Sequence, residues 1–487
     1  MMNISWRDFP FALISVPLII LALVIPHSLV GLGVSALLAL YAFFSPKNGL
    51  LNLLIYFPTR SFLIEINPSL KMAGDLIILA AFASVVLKYL LQKEWKKIFE
   101  FHIFEWAFFA FCAVGAISAF LTGVSLTAIV FQLRAFLITY IVFYVVRRLN
   151  ITKEDILKFL WTTFFMAILL CLHGLVEKLS LRTLLMPEKW VGRSLSYNNR
   201  VRIYGLIDNP NVLAVYLSIA FMLGVYLKQL VNNGKTRLFI NIGLVLMLGV
   251  ITLTYSRGTY IGFVIAFVVY ILLTKEWKRA RNIVIGILIA VVLVNIPVTK
   301  GANYFKLQGL DQDVPRTETP ADQTEQPSDE ERRFKETFEM STVELSKTTG
   351  RLFIVNKGFE IFKDHPVIGT GFATYGDSAA KSYSSPIYDD YGIENDIYSD
   401  NQYIQIIAQT GAVGVILFAV FLLGMLFFLW KNRQESKAAI ALMSVLLAVF
   451  ACALLYNIWE DKTYTTYFFM MLAAVAGTFT VKRNEQS

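Results

Sequence analysis

Long apolar runs separated by short polar stretches recur along almost the whole chain. A coiled run of ~20 apolar residues matches the ~30 Å hydrocarbon layer of a bilayer, because an α-helix rises ~1.5 Å per residue and satisfies its own backbone in lipid. Runs near 10–26, 30–44, 72–91, 104–121, 127–146, 156–175, 211–227, 238–253, 259–273, 282–298, 412–430, 438–455 and 464–481 read as spans. The run over 49–63 is shorter and carries Pro58 and Arg60, which predicts a broken or re-entrant helix. The pattern predicts an all-α, polytopic membrane helix bundle of roughly 12 to 14 spans with one large extracytoplasmic loop. In this division 1–298 is an N-terminal transmembrane bundle, 299–410 the loop, and 411–487 C-terminal transmembrane helices with a short tail. No small-residue cleavage site follows the first run, so it is expected to stay as a span.

Composition agrees with that pattern: 56% hydrophobic residues, 16% charged and a mean hydropathy of +0.59 exclude an ordinary soluble globular chain. The formal charge of +9 carries no nucleic-acid signal, since the basic residues sit in short clusters between apolar runs. Lys93, Lys96 and Lys97, then Arg147, Arg148 and Lys153, then Lys228, Lys235 and Arg237, then Lys275 to Arg281, then Lys431 to Lys437, fall in alternate loops. By the positive-inside rule these loops and both termini are cytoplasmic, in the cell membrane. Cys112, Cys171 and Cys452 lie in apolar runs and imply no disulfide framework, and the histidines show no metal-ligand spacing. No internal repeat is evident, which argues against a transporter built from inverted repeats.

The opposite face holds about 177–210, the turn at 255–258 and the loop from 299 to 401. Residues 309–341 are rich in Asp, Glu, Gln, Thr and Pro and poor in apolar side chains, so they read as a flexible acidic insert. After them Leu352, Val355, Phe359 and Phe362 recur at helical spacing among charged residues, predicting an amphipathic helix with these four on its apolar face. Pro366, Gly369 and Gly371 end it. Arg182, Lys189, Arg193, Arg200, Arg202, Arg257 and Arg351 crowd a face from which cations are normally depleted. Snorkelling and headgroup contact explain single cases, but Arg257 sits between two spans beside a glycine that permits close approach.

Four stretches, "RIYGLIDNPNVLAVYL" from Arg202, "LTYSRGTYIG" from Leu253, "GRLF" to "DHPVIGTGF" over 350–372, and "DNQYIQIIAQTGAVG" from Asp400, occur in the order found in the O-antigen ligase and polymerase family. The chain resembles that family over roughly 200–455, with the large loop before the last spans. Its length and acidic insert are also similar to the branch of the family that polymerises teichuronic acid in Gram-positive envelopes. The resemblance implies a glycosyltransferase using a polyprenyl-diphosphate-linked oligosaccharide as donor, with neither cofactor nor metal. Membrane lipid, a flippase and chain-length regulator proteins are the partners it implies. Arginine suits such a site because its planar fork binds phosphate oxygens through two parallel hydrogen bonds. Arg202 and Arg257 are the first candidates for the leaving diphosphate, with Arg200 and Arg351 as further binding residues. Ligases of the family carry His followed by Asn where this chain has Asp400 and Asn401, so Asp400 is the candidate general base, against the alternative that it caps the next helix. Asn209, Asn211 and Asn401 are candidate substrate-binding residues, and Asp208, Asn209 and Pro210 also read as a helix start. His365 reads as a turn residue, Arg134 and His173 as groups inside the membrane that need internal partners, and Asp75 and Glu105 as groups near span ends that reach the interface. A lipid-linked oligosaccharide flippase is the alternative of another class.

Shortening residues 309–341 is expected to leave the product of the whole chain largely unchanged in membranes, since that composition builds no folded site. Loss of product at normal expression would contradict it.

Overall fold

The computed structural model describes residues 9–486 apart from 192, 194, 196, 309–349 and 395, so the acidic insert lies outside the described residues. The long helices, numbered in order, are α1 Pro10–Val24, α2 Ser28–Phe44, α3 Pro46–Ile66, α4 Ala73–Leu91, α5 Ile103–Leu121, α6 Leu126–Arg147, α7 Lys153–Leu179, α8 Pro210–Leu230, α9 Gly234–Leu253 and α10 Arg257–Thr274. Then α11 runs from Trp277–Ala290 through a π-helical turn, Val291–Asn295, into Ile296–Leu307. After the insert come α12 Arg351–Asp364, α13 Gln402–Lys431, α14 Lys437–Cys452 and α15 Lys462–Gln486. Among the described residues ten helices are long and apolar enough to cross a membrane, and α1, α2 and α14 are shorter apolar helices. The protein is an all-α, multi-pass membrane bundle.

The turns between helices separate to two ends. At one end Lys47 pairs with Asp155 at 2.6 Å, Arg147 with Glu105 at 2.9 Å and Lys437 with Glu276 at 2.7 Å, which gathers loops of the basic clusters. At the other, Asn67 donates to the Ala22 carbonyl at 3.0 Å, and the long loop meets the end of α5 through Ser118 and the turn after α14 through Asn457.

Two expectations need correction. Residues 49–63 belong to a continuous helix, α3, in which Pro58 lacks the N–H that would bind the Leu54 carbonyl. Tyr467 of α15 supplies the replacement, its hydroxyl donating to Leu54 at 3.2 Å, while Thr59 donates its own hydroxyl to Ile55 at 2.8 Å. The span expected to end at 298 stays helical to Leu307, passing through the π-helical turn with Pro297 in the turn that follows it.

The predicted span from 412 does begin there, but its preceding turns are helical as well. Gly411, with φ 59° and ψ −163°, breaks α13 into an outer part, residues 402–410, and the membrane part. The chain after α12 lies in the break. Ala412 N–H donates to Pro366 at 2.8 Å and Val413 N–H to Val367 at 3.0 Å, while Gly371 N–H donates to Gln409 at 2.6 Å. Across the same segment Ser118 of α5 donates to the Gly369 carbonyl at 2.7 Å, and Phe372 N–H donates to Gly115 at 2.9 Å. The Phe372 ring is wholly buried against Phe111 and Phe136.

The amphipathic helix is present as α12, but its buried face is Ile354, Gly358 and Ile361, not the expected four. Gly358 decides this: a Cβ there would lie 2.4 Å from Ile404, so the helix seats its glycine seam on α13. Leu352 and Phe359 consequently face outward, 44% and 46% exposed.

Gly371→Ala tests the interlock, since its Cβ would fall 1.9 Å from the backbone of Ala119 and its φ is +95°. Overpacking of this kind typically costs ~1–3 kcal/mol and a backbone clash more. The expected result is a marked loss of thermal stability in detergent, measured against Gly392→Ala, where nothing lies within 4 Å.

Candidate functional site

A cavity of about 570 Å³ opens at the loop-bearing end of the bundle. Arg60 of α3, Lys71, Arg134 of α6 and Lys462 of α15 form one side. Asp208, Asn209 and Asn211 at the start of α8 form another, and Ser378, Lys381, Tyr398 and Asp400 of the long loop a third, with Asn457, Glu460 and Asp461 from the turn before α15. Val215, Ile458 and Tyr464 also line a second cavity of about 440 Å³, largely apolar, which extends among α3, α7, α8, α10, α14 and α15.

The start of α8 is fixed by its own sequence. Asn209 is the N-cap, its side-chain oxygen accepting from the N–H groups of Asn211 at 2.9 Å and Val212 at 3.2 Å, with Pro210 at the first helical position. Asp208, at φ 58°, is held by both guanidinium nitrogens of Arg193, at 2.9 and 2.8 Å. Behind it the buried Glu177 accepts from the N–H groups of Tyr204 and Gly205, the latter at 2.6 Å, and from Arg182 at 2.5 Å. Asn211 is free of capping, and its oxygen accepts from Arg202 Nη2 and from Ser256 at 3.0 Å. Arg202 also donates through Nε to the Thr254 carbonyl at 2.8 Å, and Ser256 reaches Tyr456 at 3.0 Å.

The predicted residues therefore divide. Asn209, Asn211 and Asp400 line one cavity, and Arg202 stands directly behind Asn211. Arg257, the exposed first residue of α10, follows Ser256; its neighbour Gly258 lets the helix approach the Tyr456 hydroxyl, 2.5 Å from where a Cβ would stand. Arg351, the exposed first residue of α12, acts electrostatically on Asp400. Arg200 donates through Nε to the Leu195 carbonyl at 2.9 Å. Asn401 is the cap of α13, accepting from Tyr403 and Ile404 N–H at 3.1 Å each. That corrects the capping alternative for Asp400, which precedes the cap at φ 46° with its carboxylate open to the cavity. Asp400 is exposed at the cavity's edge, yet the protein mass around it desolvates its carboxyl and raises it above the ordinary range, against the pull of Arg351 and Lys381.

Sequence reasoning passed over the groups that attach the loop to the bundle. Gln402, Gln405 and Gln409 share one face of the outer part of α13 and are fully buried. Gln402 donates to Gln405 at 3.1 Å, Gln405 to Glu460, and Gln409 to Asp377 at 2.5 Å. Glu460 also accepts from Gln132 of α6 at 2.8 Å and from Ser378 at 2.9 Å. Asp377 accepts from the N–H groups of Ala373 at 2.7 Å and Ala380 at 2.6 Å. The spacing of three and four between these glutamines, beside an apolar run, was the available signal. Asp75, expected near an interface, is buried and holds both Arg134 and Lys462.

Burial raises both the Asp377 and the Glu460 carboxyl, and Asp377 raises Glu460 further. An acid whose pKa is higher in the folded state keeps its proton there while the unfolded chain loses it. Stability therefore falls as pH rises from the ordinary carboxylate range toward neutrality. Glu460→Gln, which cannot ionise, is expected to flatten that fall in a melting-temperature profile taken across those pH values. An unchanged profile would remove Glu460 as its source.

Residues 242–419 match the model of a family described as O-antigen ligase. That match covers α9 from its middle, α10, α11, the long loop and the first half of α13. No curated protein matches the chain.

Proposed function

We propose that this protein is an envelope polysaccharide polymerase, which joins polyprenyl-diphosphate-linked glycan repeat units on the outer face of the cytoplasmic membrane, with both termini cytoplasmic. A teichuronic acid is the product suggested by the chain's length and acidic insert. The observation that carries the reading is one polar cavity that gathers Asp400, Asn209 and Asn211, is backed by Arg202 and adjoins an apolar cavity through Val215, Ile458 and Tyr464. Such a pair of spaces suits an amphiphile, with the polyprenyl chain in the apolar part and diphosphate and sugars in the polar part.

In this reading the acceptor hydroxyl oxygen attacks the anomeric carbon of the donor. A new carbon–oxygen bond forms as the bond to the diphosphate oxygen breaks, the electron pair leaves with the lipid diphosphate, and the hydroxyl proton passes to Asp400. Arg202 and Arg257 stabilise the leaving charge, in the place a metal takes elsewhere, and Arg351 and Asn209 assist binding. The raised carboxyl of Asp400 suits a base, because a higher pKa holds a proton better. The family description favours a second reading, a ligase passing finished glycan to another carrier. Asp400 in the place of the ligases' His supports the polymerase.

Removing the protein separates the classes by the lipid-linked species that builds up. Single repeat units outside mark a polymerase, finished polymer still on its lipid a ligase, and units trapped inside a flippase. Arg202→Lys keeps charge and loses the fork, so polymer is expected to fall steeply with protein still in the membrane. Asp400→Asn leaves the Asn401 cap in place and suits a left-handed backbone, so it isolates the carboxylate. A fall of about 100-fold or more is expected for a base, and unchanged polymer length and amount would exclude it.

A further inference from the structure

The cavity has a second cationic wall to which the proposed transfer gives no task. Arg134 binds Asp75 through Nε, and Lys462 binds the other oxygen of the same carboxylate at 2.7 Å, with Asp75 only 4% exposed. Arg60 and Lys71 line this wall as well, and Asp461 lies near Arg60. In this wall Arg60, Lys71, Arg134 and Lys462 stand with Asp75 and Asp461, while Lys381, Asp208, Asp400 and Glu460 line the rest of the recess. Two polar atoms are left over for a ligand. Arg134 Nη2 and the Tyr464 hydroxyl are buried without a hydrogen-bond partner among the described residues, and both side chains line the cavity. A buried guanidinium nitrogen without an acceptor calls for an oxygen.

These cations stand on α3, α4's leading turn, α6 and α15, whereas Arg202 and Asn211 belong to the segment entering α8. Joining two glycans that each ride on a lipid diphosphate brings two such groups to one face of the membrane. Their mutual repulsion is offset only if each has its own cations. We propose that Arg60, Lys71, Arg134 and Lys462 form a second oxyanion site in this cavity, for a phosphoryl group of the acceptor, while the Arg202 side takes that of the donor. The assignment rests on the polymerase reading, since a ligase acceptor need carry no lipid diphosphate.

The full chain in phosphatidylcholine nanodiscs, titrated with farnesyl diphosphate and read by native mass spectrometry, tests it. Two bound molecules are expected for the unaltered protein. The double variant Arg60→Gln, Lys71→Gln spares the Asp75 pairing and is expected to hold one, with the second weakened about 10-fold or more. Arg134→Lys, which keeps a charge for Asp75 and loses the fork, is expected to weaken the same molecule. One molecule on the unaltered protein, or two on the double variant with unaltered affinity, overturns the site. Displacement of the second molecule by phosphatidylglycerol assigns the wall to a lipid headgroup and overturns the acceptor role. An unaltered protein that polymerises but binds a single molecule refutes this site alone and leaves the transferase reading intact.

Discussion

The structure depends on the break at Gly411. A helix interrupted inside a membrane protein exposes N–H and C=O groups that lipid cannot satisfy, so another part of the chain must supply partners. Residues 366–372 do so, bonding to both sides of the break and to α5 at the same time. The approach leaves no room for side chains: Gly369 lies against the backbone of Gln409 and Thr410, Gly371 against Ala119, and Gly411 against Val367. Three glycines with positive φ in one small region are what that contact requires.

The interlock orients the outer part of α13, and its buried glutamines then tie the long loop to the bundle. Asp377 and Glu460 are buried carboxylates, each surrounded by donors from different segments. A carboxylate in such a place is tolerated only while those donors remain, so the network fixes the loop and the turn before α15 relative to α6. Ser378, Lys381 and Asp400 reach the cavity from that fixed loop. The same logic holds α8, where Glu177 takes the N–H groups of Tyr204 and Gly205 and so places the Arg202 segment.

Most of the membrane architecture was legible because lipid imposes it. Apolar runs of spanning length, closed by polar turns, leave little choice but helices, and the structure has them where the runs lie. Expectation failed where one residue's local rule was overridden by a distant partner. Pro58 reads as a helix breaker, yet Tyr467, far away in sequence, repairs the unpaired Leu54 carbonyl. The apolar stripe of α12 reads as its core face, yet Gly358 on the neighbouring stripe permits a closer seat on Ile404.

The same distinction runs through the site. Sequence alone determined the helical membrane class, the return of the chain to the membrane near residue 412, the start of α8 at Pro210 and the concentration of arginines in the loops now seen at one end. These follow from composition, periodicity and capping, which act over a few residues. Only the tertiary structure decided that Asn401 and not Asp400 caps α13, that Asn211 spends its oxygen on Arg202 and Ser256, and that Arg60, Lys71, Arg134 and Lys462 share a cavity with Asp400. Those outcomes depend on which helices pack side by side, and helices buried in lipid choose their neighbours through scattered glycines and single polar side chains, which no local pattern marks.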